Sequence, residues 1–410
     1  MLIIAALSWL GLEIISNTAA DSLALDRPEA ALAWIGNHAT ALVELGQRQL
    51  ASGAGEAGPN AVAELAQRAL RSDPLQEGAW RIMAFAAEAR GDMHEAETLM
   101  RLATSRSPRD LGAQAWLFNQ RLLARDYATA LTHVDAILRV RPDSAETVFP
   151  SLIALASDPD GRDPLVRILK PGPPWRSRFL DQLAQDSSGP AALFGIYAAL
   201  EAAPHPLTTA EFRPYLKRLV DGGDVELAYA MQVDFLPTDR LAMLGHLNNG
   251  SFDFPISGLP FDWTIASVPG ARSEVVVDDT ANLALRVEFQ GARVPYQHVW
   301  QTLLLRPGTY RLAGKVKAVD LQNERGLQWV ITCIGGPQLV ATDRVNGTQP
   351  WTEFETAFAV PNGQDCPAQD IRLVLPARLP AEQMAVGEIG YDDLRIERMR
   401  RQPLPPGRVP

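Results

Sequence analysis

The chain has 410 residues, 47% of them hydrophobic and 21% charged, and its 48 acidic against 38 basic side chains leave a net charge of −10. This apolar content excludes wholesale disorder, and the length allows two or three domains. The acidic balance, with a pI near 5.2 and only four lysines, argues against a nucleic-acid partner, which needs clustered Lys and Arg to neutralise phosphate.

At the amino end, Leu2–Ile15 is almost wholly apolar, interrupted by Ser8 and Glu13. The stretch falls short of the roughly 20 residues that span a bilayer, but its length suits the hydrophobic region of a signal peptide, and Asn17–Asp21 supplies small residues behind it. No basic residue precedes it; the first is Arg27. Two readings stay open for residues 1–20. One is an export signal or membrane anchor, implying the periplasmic side of a cell envelope. The other is the first helix of the array that follows.

Residues 21–150 read as helical hairpins. Pro74, Pro108 and Pro142 recur every 34 residues, each closing a helix–turn–helix stretch, and a fixed period of that kind marks a stacked solenoid. On the same period Val62, Ala96 and Ala130 align, as do Ala69, Ala103 and Ile137, so small or compact residues recur where paired helices approach. Ala84, Gly91, Ala96, Ala103 and Pro108 match the small-residue and proline positions of the tetratricopeptide repeat, which this region resembles. The outer units depart from the pattern: the first carries an insertion at Gly53–Gly58, and the third has Phe118 and Arg121 where smaller or aromatic residues are usual. The resemblance implies a superhelix whose concave face holds a protein partner.

Residues 151–243 continue as short amphipathic helices, Asp163–Lys170, Trp175–Gln185, Pro190–Ala202, Thr209–Asp221 and Val225–Phe235, punctuated at Pro171–Pro174 and Gly222–Gly223. Thr208 or Thr209 followed by Glu211 is a helix-start signal. These segments read as degenerate repeats.

Residues 244–399 change character. Strand-like runs occur at Glu274–Asp278, Leu283–Phe289, Val299–Leu305, Tyr310–Ala318, Gln328–Cys333, Phe354–Val360, Ile371–Leu375 and Ile389–Glu397, with turn signals at Pro307-Gly308 and Asn346-Gly347. That many short strands predict an antiparallel β-sandwich of jelly-roll type, in which Phe354, Phe358 and Val360 share one face and Glu353 and Glu355 the other. The order Leu247–Asp253, Phe261–Trp263, Pro307–Tyr310, Trp351–Phe354 and Gly390–Leu394 resembles the carbohydrate-binding-module-like jelly rolls that accompany glycan-active proteins. This resemblance implies packing roles for Trp263 and Trp351, and a structural calcium held by Asp253 and Asp393. It also implies polysaccharide as a ligand.

Glycan sites use aromatic faces, and Tyr296, His298 and Trp300 alternate as a platform on one strand face would. The alternative packs Tyr296 and Trp300 between the sheets with His298 at an edge. Cys333 and Cys366, both in this domain, suggest a disulfide in an exported chain. The tail, residues 400–410, is rich in Pro and Arg and reads as extended.

No catalytic motif stands out. The six histidines are scattered without metal-ligand spacing, and no P-loop, dinucleotide fingerprint or Gly-x-Ser-x-Gly elbow occurs. The expectation is therefore a non-enzymatic envelope protein, an α-solenoid followed by a β-sandwich, accessory to exopolysaccharide synthesis or export. Its rival is a purely protein-binding adaptor whose sandwich carries no glycan site.

Overall fold

The computed structural model describes residues 2–52, 58–185, 193–279, 281–362 and 366–399. Helices occupy the N-terminal part, and an antiparallel two-sheet β-sandwich occupies the C-terminal part. The chain divides into two compact units, one of the residues up to Phe179 with Ala203–His205, the other of Leu180–Ala202 with the residues from Pro206 on. This division falls well before the change of composition near residue 243. The insertion at Gly53–Gly58, except Gly58 itself, and the tail 400–410 lie outside the described residues.

The first unit contains α1 (Leu2–Leu23), α2 (Pro28–Trp34), α3 (Ala39–Ala51), α4 (Gly58–Ser72), α5 (Glu77–Ala89), α6 (Met93–Arg106), α7 (Leu111–Leu123), α8 (Tyr127–Val140), α9 (Ala145–Ser157) and α10 (Pro159–Leu169). Helix α7 begins 34 residues after α5, and α9 begins 34 residues after α7. The cause is local. Each of α4, α6 and α8 stops two residues before its proline, because the residue preceding a proline is pushed out of the helical region, and Ser107 and Arg141 are extended there.

The turns inside the hairpins repeat too. Gly91 adopts φ 83°, and Arg125, one period later, holds the same left-handed conformation at φ 56° without glycine's freedom. Asp92 and Asp126 then cap the second helix, accepting from the backbone N–H of Glu95 and Thr129. The aligned residues Val62, Ala96, Ala130, Ala69, Ala103 and Ile137 are all buried. At the amino end, Ala20 and Ala24 pack with Ala31 and Ala41. Among the described residues no helix is long and apolar enough to cross a membrane.

The second unit begins within α11 (Arg176–Gln185) and includes α12 (Phe194–Glu201), α13 (Thr209–Asp221) and α14 (Val225–Phe235). A capping box starts α13: the Thr208 hydroxyl accepts from Glu211 N–H, and the Glu211 carboxylate accepts from Thr208 N–H. These helices hold the start of the sandwich. Gln232 Oε1 accepts from Phe261 N–H, the Tyr229 and Phe261 rings meet edge to face, and Arg213 donates to the carbonyls of Ser257 and Gly258.

The strands are β1 (Thr264–Ile265), β2 (Ala271–Val277), β3 (Leu283–Arg293), β4 (Val299–Leu303), β5 (Gly308–Gln322), β6 (Gln328–Cys333), β7 (Gln338–Ala341), β8 (Gly347–Val360), β9 (Gln369–Val374) and β10 (Met384–Arg398). The first sheet runs β1-β4-β9-β6-β7 and the second β2-β3-β10-β5-β8, with every pairing antiparallel. Trp263 and Trp329 are wholly buried between them, with Phe252, Tyr296, Tyr310 and Tyr391. Burying a side chain of that size contributes on the order of 2–3 kcal/mol. Cys333 and Cys366 are joined by a disulfide, their Cα atoms 5.0 Å apart.

Candidate functional site

Pleating decides which side chains a sheet offers to solvent. On the second sheet Leu285, Val287, Leu312, Val316, Ile389 and Tyr391 point into the core. Their strand neighbours therefore line the outer face. Register aligns four of these in one row: Lys317 on β5 lies opposite Gly390 on β10, Gly390 opposite Arg286 on β3, and Arg286 opposite Glu274 on β2. A second row joins Asp392, Lys315 and Glu353 across β10, β5 and β8.

Trp351, half-buried on β8, lies over this face. Gly390 leaves room for it: a Cβ there would come within 3.3 Å of the indole ring. The ring is steered from the other side by Asp279, whose Oδ1 accepts from Trp351 Nε1–H at 3.3 Å and whose Oδ2 accepts from Lys317 Nζ at 2.8 Å. The Lys317 hydrogen bond, and then that of Trp351, hold the Asp279 carboxyl below its usual pKa.

Two cavities flank the indole. One, of about 210 Å³, is lined by Val276, Asp279, Arg286, Lys317, Glu388 and Gly390 among others. The other, of about 250 Å³, is lined by Asp278, Asn282, Lys315, Glu353 and Asp392. Trp351 belongs to both, so together they form a groove divided by one aromatic plate. Each cation lining the groove is already paired: Lys317 with Asp279, Lys315 with Asp393 at 2.6 Å, and Arg286 with Glu274. Arg286 Nε has no hydrogen-bond partner.

The residues singled out from the sequence lie elsewhere. Tyr296 is 1% exposed and belongs to the core, its ring edge-on to Phe289 and its hydroxyl bonded to Ser273 Oγ. The alternation of Tyr296, His298 and Trp300 does not make one platform, because the strand begins only at Val299 and Tyr296 turns inward before it. Trp300 faces outward on the first sheet beneath the Arg372 guanidinium, 4.9 Å from the ring centroid. Half-buried His298 stands beside them, its pKa lowered by burial and by Arg372. Trp263 is core, as its motif implies, but Trp351 is not: it lines the groove.

The two aspartates read as calcium ligands are engaged differently. Asp393 is neutralised by Lys315, and Asp253 is exposed. The buried carboxyl is that of Asp392, pushed up to about 6 by burial and by the charges of Asp393 and Asp253. Among the described residues no three His, Cys, Asp or Glu side chains come together as metal ligands.

No family model matches the chain, and no curated protein matches it. Solved carbohydrate-binding modules are similar to its C-terminal β domain. A CBM4 structure is 22% identical with a TM-score of 0.29, covering 37% of this chain and 99% of its own. TmCBM61 in complex with β-1,4-galactotriose is 16% identical with a TM-score of 0.26, covering 38% and 99%. The CBM22-1 xylan-binding domain from Paenibacillus barcinonensis Xyn10C is 13% identical with a TM-score of 0.26, covering 37% and 94%.

Proposed function

We propose that this chain is a non-catalytic binding protein whose β-sandwich holds a neutral glycan across Trp351 while its helical hairpins, of tetratricopeptide type, recruit a protein partner. The observation that carries the glycan reading is the groove itself: a half-buried indole flanked by two cavities whose linings include the polar side chains of Asp279, Arg286, Lys317, Asn282, Lys315 and Glu353. A sugar ring stacks on an aromatic face, and each hydroxyl both donates and accepts. An acidic polysaccharide fits less well, since Lys315, Lys317 and Arg286 would each have to leave a carboxylate to meet it.

The disulfide is at home in an oxidising compartment, which supports an envelope location on the periplasmic side. Within the same proposal the N-terminal segment associates with the membrane, and the protein accompanies exopolysaccharide synthesis or export. Affinity electrophoresis of the full chain through soluble β-glucan, xylan, galactan and an anionic polysaccharide tests the groove. Retardation by a neutral polymer, lost in Trp351→Ala, is expected. Mobility unchanged in every gel favours the protein-only adaptor, with the Trp351–Asp279 bond as a structural tie.

A further inference from the structure

The helices of the second unit form a partly open cavity of about 380 Å³ that the glycan reading leaves without a role. Its walls come from α12, α13 and α14 and are mostly apolar: Tyr197, Phe212, Met231 and Phe235. They are stiff, because Tyr197 stacks on Tyr215 at 4.0 Å and Phe212 packs on Phe235 at 4.7 Å. Two carboxylates interrupt the apolar lining, Glu201 and Asp234, and among the described residues no basic side chain lines the cavity. Glu201 Oε2 is closed off from water and has no hydrogen-bond partner. A carboxylate oxygen closed off from water and left without a donor is a free-energy cost that a bound donor would relieve. Burial raises the Glu201 pKa, a backbone hydrogen bond from Leu207 lowers it by less, and the charge of Asp234 raises it further; the net direction is upward, as expected for a carboxyl lacking a counter-charge.

We infer that this cavity binds an amphiphilic cation, an aromatic or aliphatic chain of small-molecule size ending in a protonated amine, with Glu201 as its counter-ion. The volume lies in the range of small-ligand sites, the walls take the apolar chain, and the ammonium supplies the donor that Oε2 lacks. This site is independent of the sugar groove on the second sheet.

The probes are 4-phenylbutylamine and its neutral counterpart 4-phenylbutanol, titrated calorimetrically into the full chain. The amine is expected to bind saturably and at least about tenfold tighter than the alcohol. Glu201→Gln, which keeps the side-chain shape, is expected to bring the amine down to the alcohol's affinity. Ala230→Trp, at an exposed rim position of the cavity, is expected to abolish binding of both. Equal affinity of amine and alcohol for the wild type overturns the inference, as does no binding of either. Amine binding unchanged in a folded Glu201→Gln also overturns it; should that variant fail to fold, unchanged binding in Ala230→Trp does so.

Discussion

The sandwich carries an exposed-side tryptophan on each outer face, and the two have opposite fates. Trp300, on the first sheet, lies directly opposite Arg372 in the β4–β9 register, and that guanidinium covers its ring. Trp351, on the second sheet, has Gly390 beneath it and cavities on both sides. What an aromatic side chain can bind is therefore set by its cross-strand neighbours. An arginine opposite occupies the face, whereas a glycine beneath seats the ring and leaves its sides open.

The largest effect expected from disturbing either face is on stability. Replacing Cys333 and Cys366 by serine, at one end of the first sheet, removes a crosslink spanning 33 residues and is expected to lower unfolding stability by about 3–4 kcal/mol. Denaturant titration measures it. Glycan affinity of the folded fraction should stay the same, and a parallel loss of affinity would show that the two faces are not separable. Next comes Gly390→Val. The new side chain meets the indole and displaces it, so glycan affinity should fall by about fivefold with little change in melting temperature. Unchanged affinity would show that the ring's seat is irrelevant.

A smaller, pH-dependent effect concerns Asp392 at the edge of the groove. Its folded pKa of about 6 lies above the ordinary carboxyl value, so the native state binds the extra proton between roughly pH 4 and pH 6. The sign follows: this group's penalty is absent below the ordinary carboxyl pKa, grows as pH rises, and is complete above about 6. Asp392→Asn should thus match the wild type near pH 4 and exceed it in urea midpoint near pH 7. Parallel profiles would contradict the burial argument. The smallest effect is that of calcium. With Asp393 neutralised by Lys315, melting temperatures in excess calcium and in EDTA should agree within about 1 °C, and a clear rise with calcium would restore the metal site.

Much of the fold was legible because local chemistry dictates it. Prolines, caps and small residues on a 34-residue period mark the hairpins, and Thr208 with Glu211 marks the start of α13. The strand runs were readable where alternation persists, but β1, two residues long, and β7 carry too little pattern to detect. The site was harder. Period two tells which residues share a face, not which face is inward, and Tyr296 precedes β4, so the alternation of that strand does not extend to it. A usable signal did exist: Trp351 has the same parity as Glu353 and Glu355, hence an outward direction, against the packing role its motif implies. The row from Lys317 to Glu274 spans four strands, and no single segment shows it.

The most direct test of the contrast between the faces is a calorimetric titration of the full chain with the neutral glycan that retards it most. Wild type, Trp351→Ala and Trp300→Ala are compared. Loss of an aromatic stacking surface predicts at least about a tenfold drop in affinity for Trp351→Ala, and a change within about twofold for Trp300→Ala. Equal losses in both variants, or a loss confined to Trp300→Ala, would contradict the assignment of the groove to the second sheet.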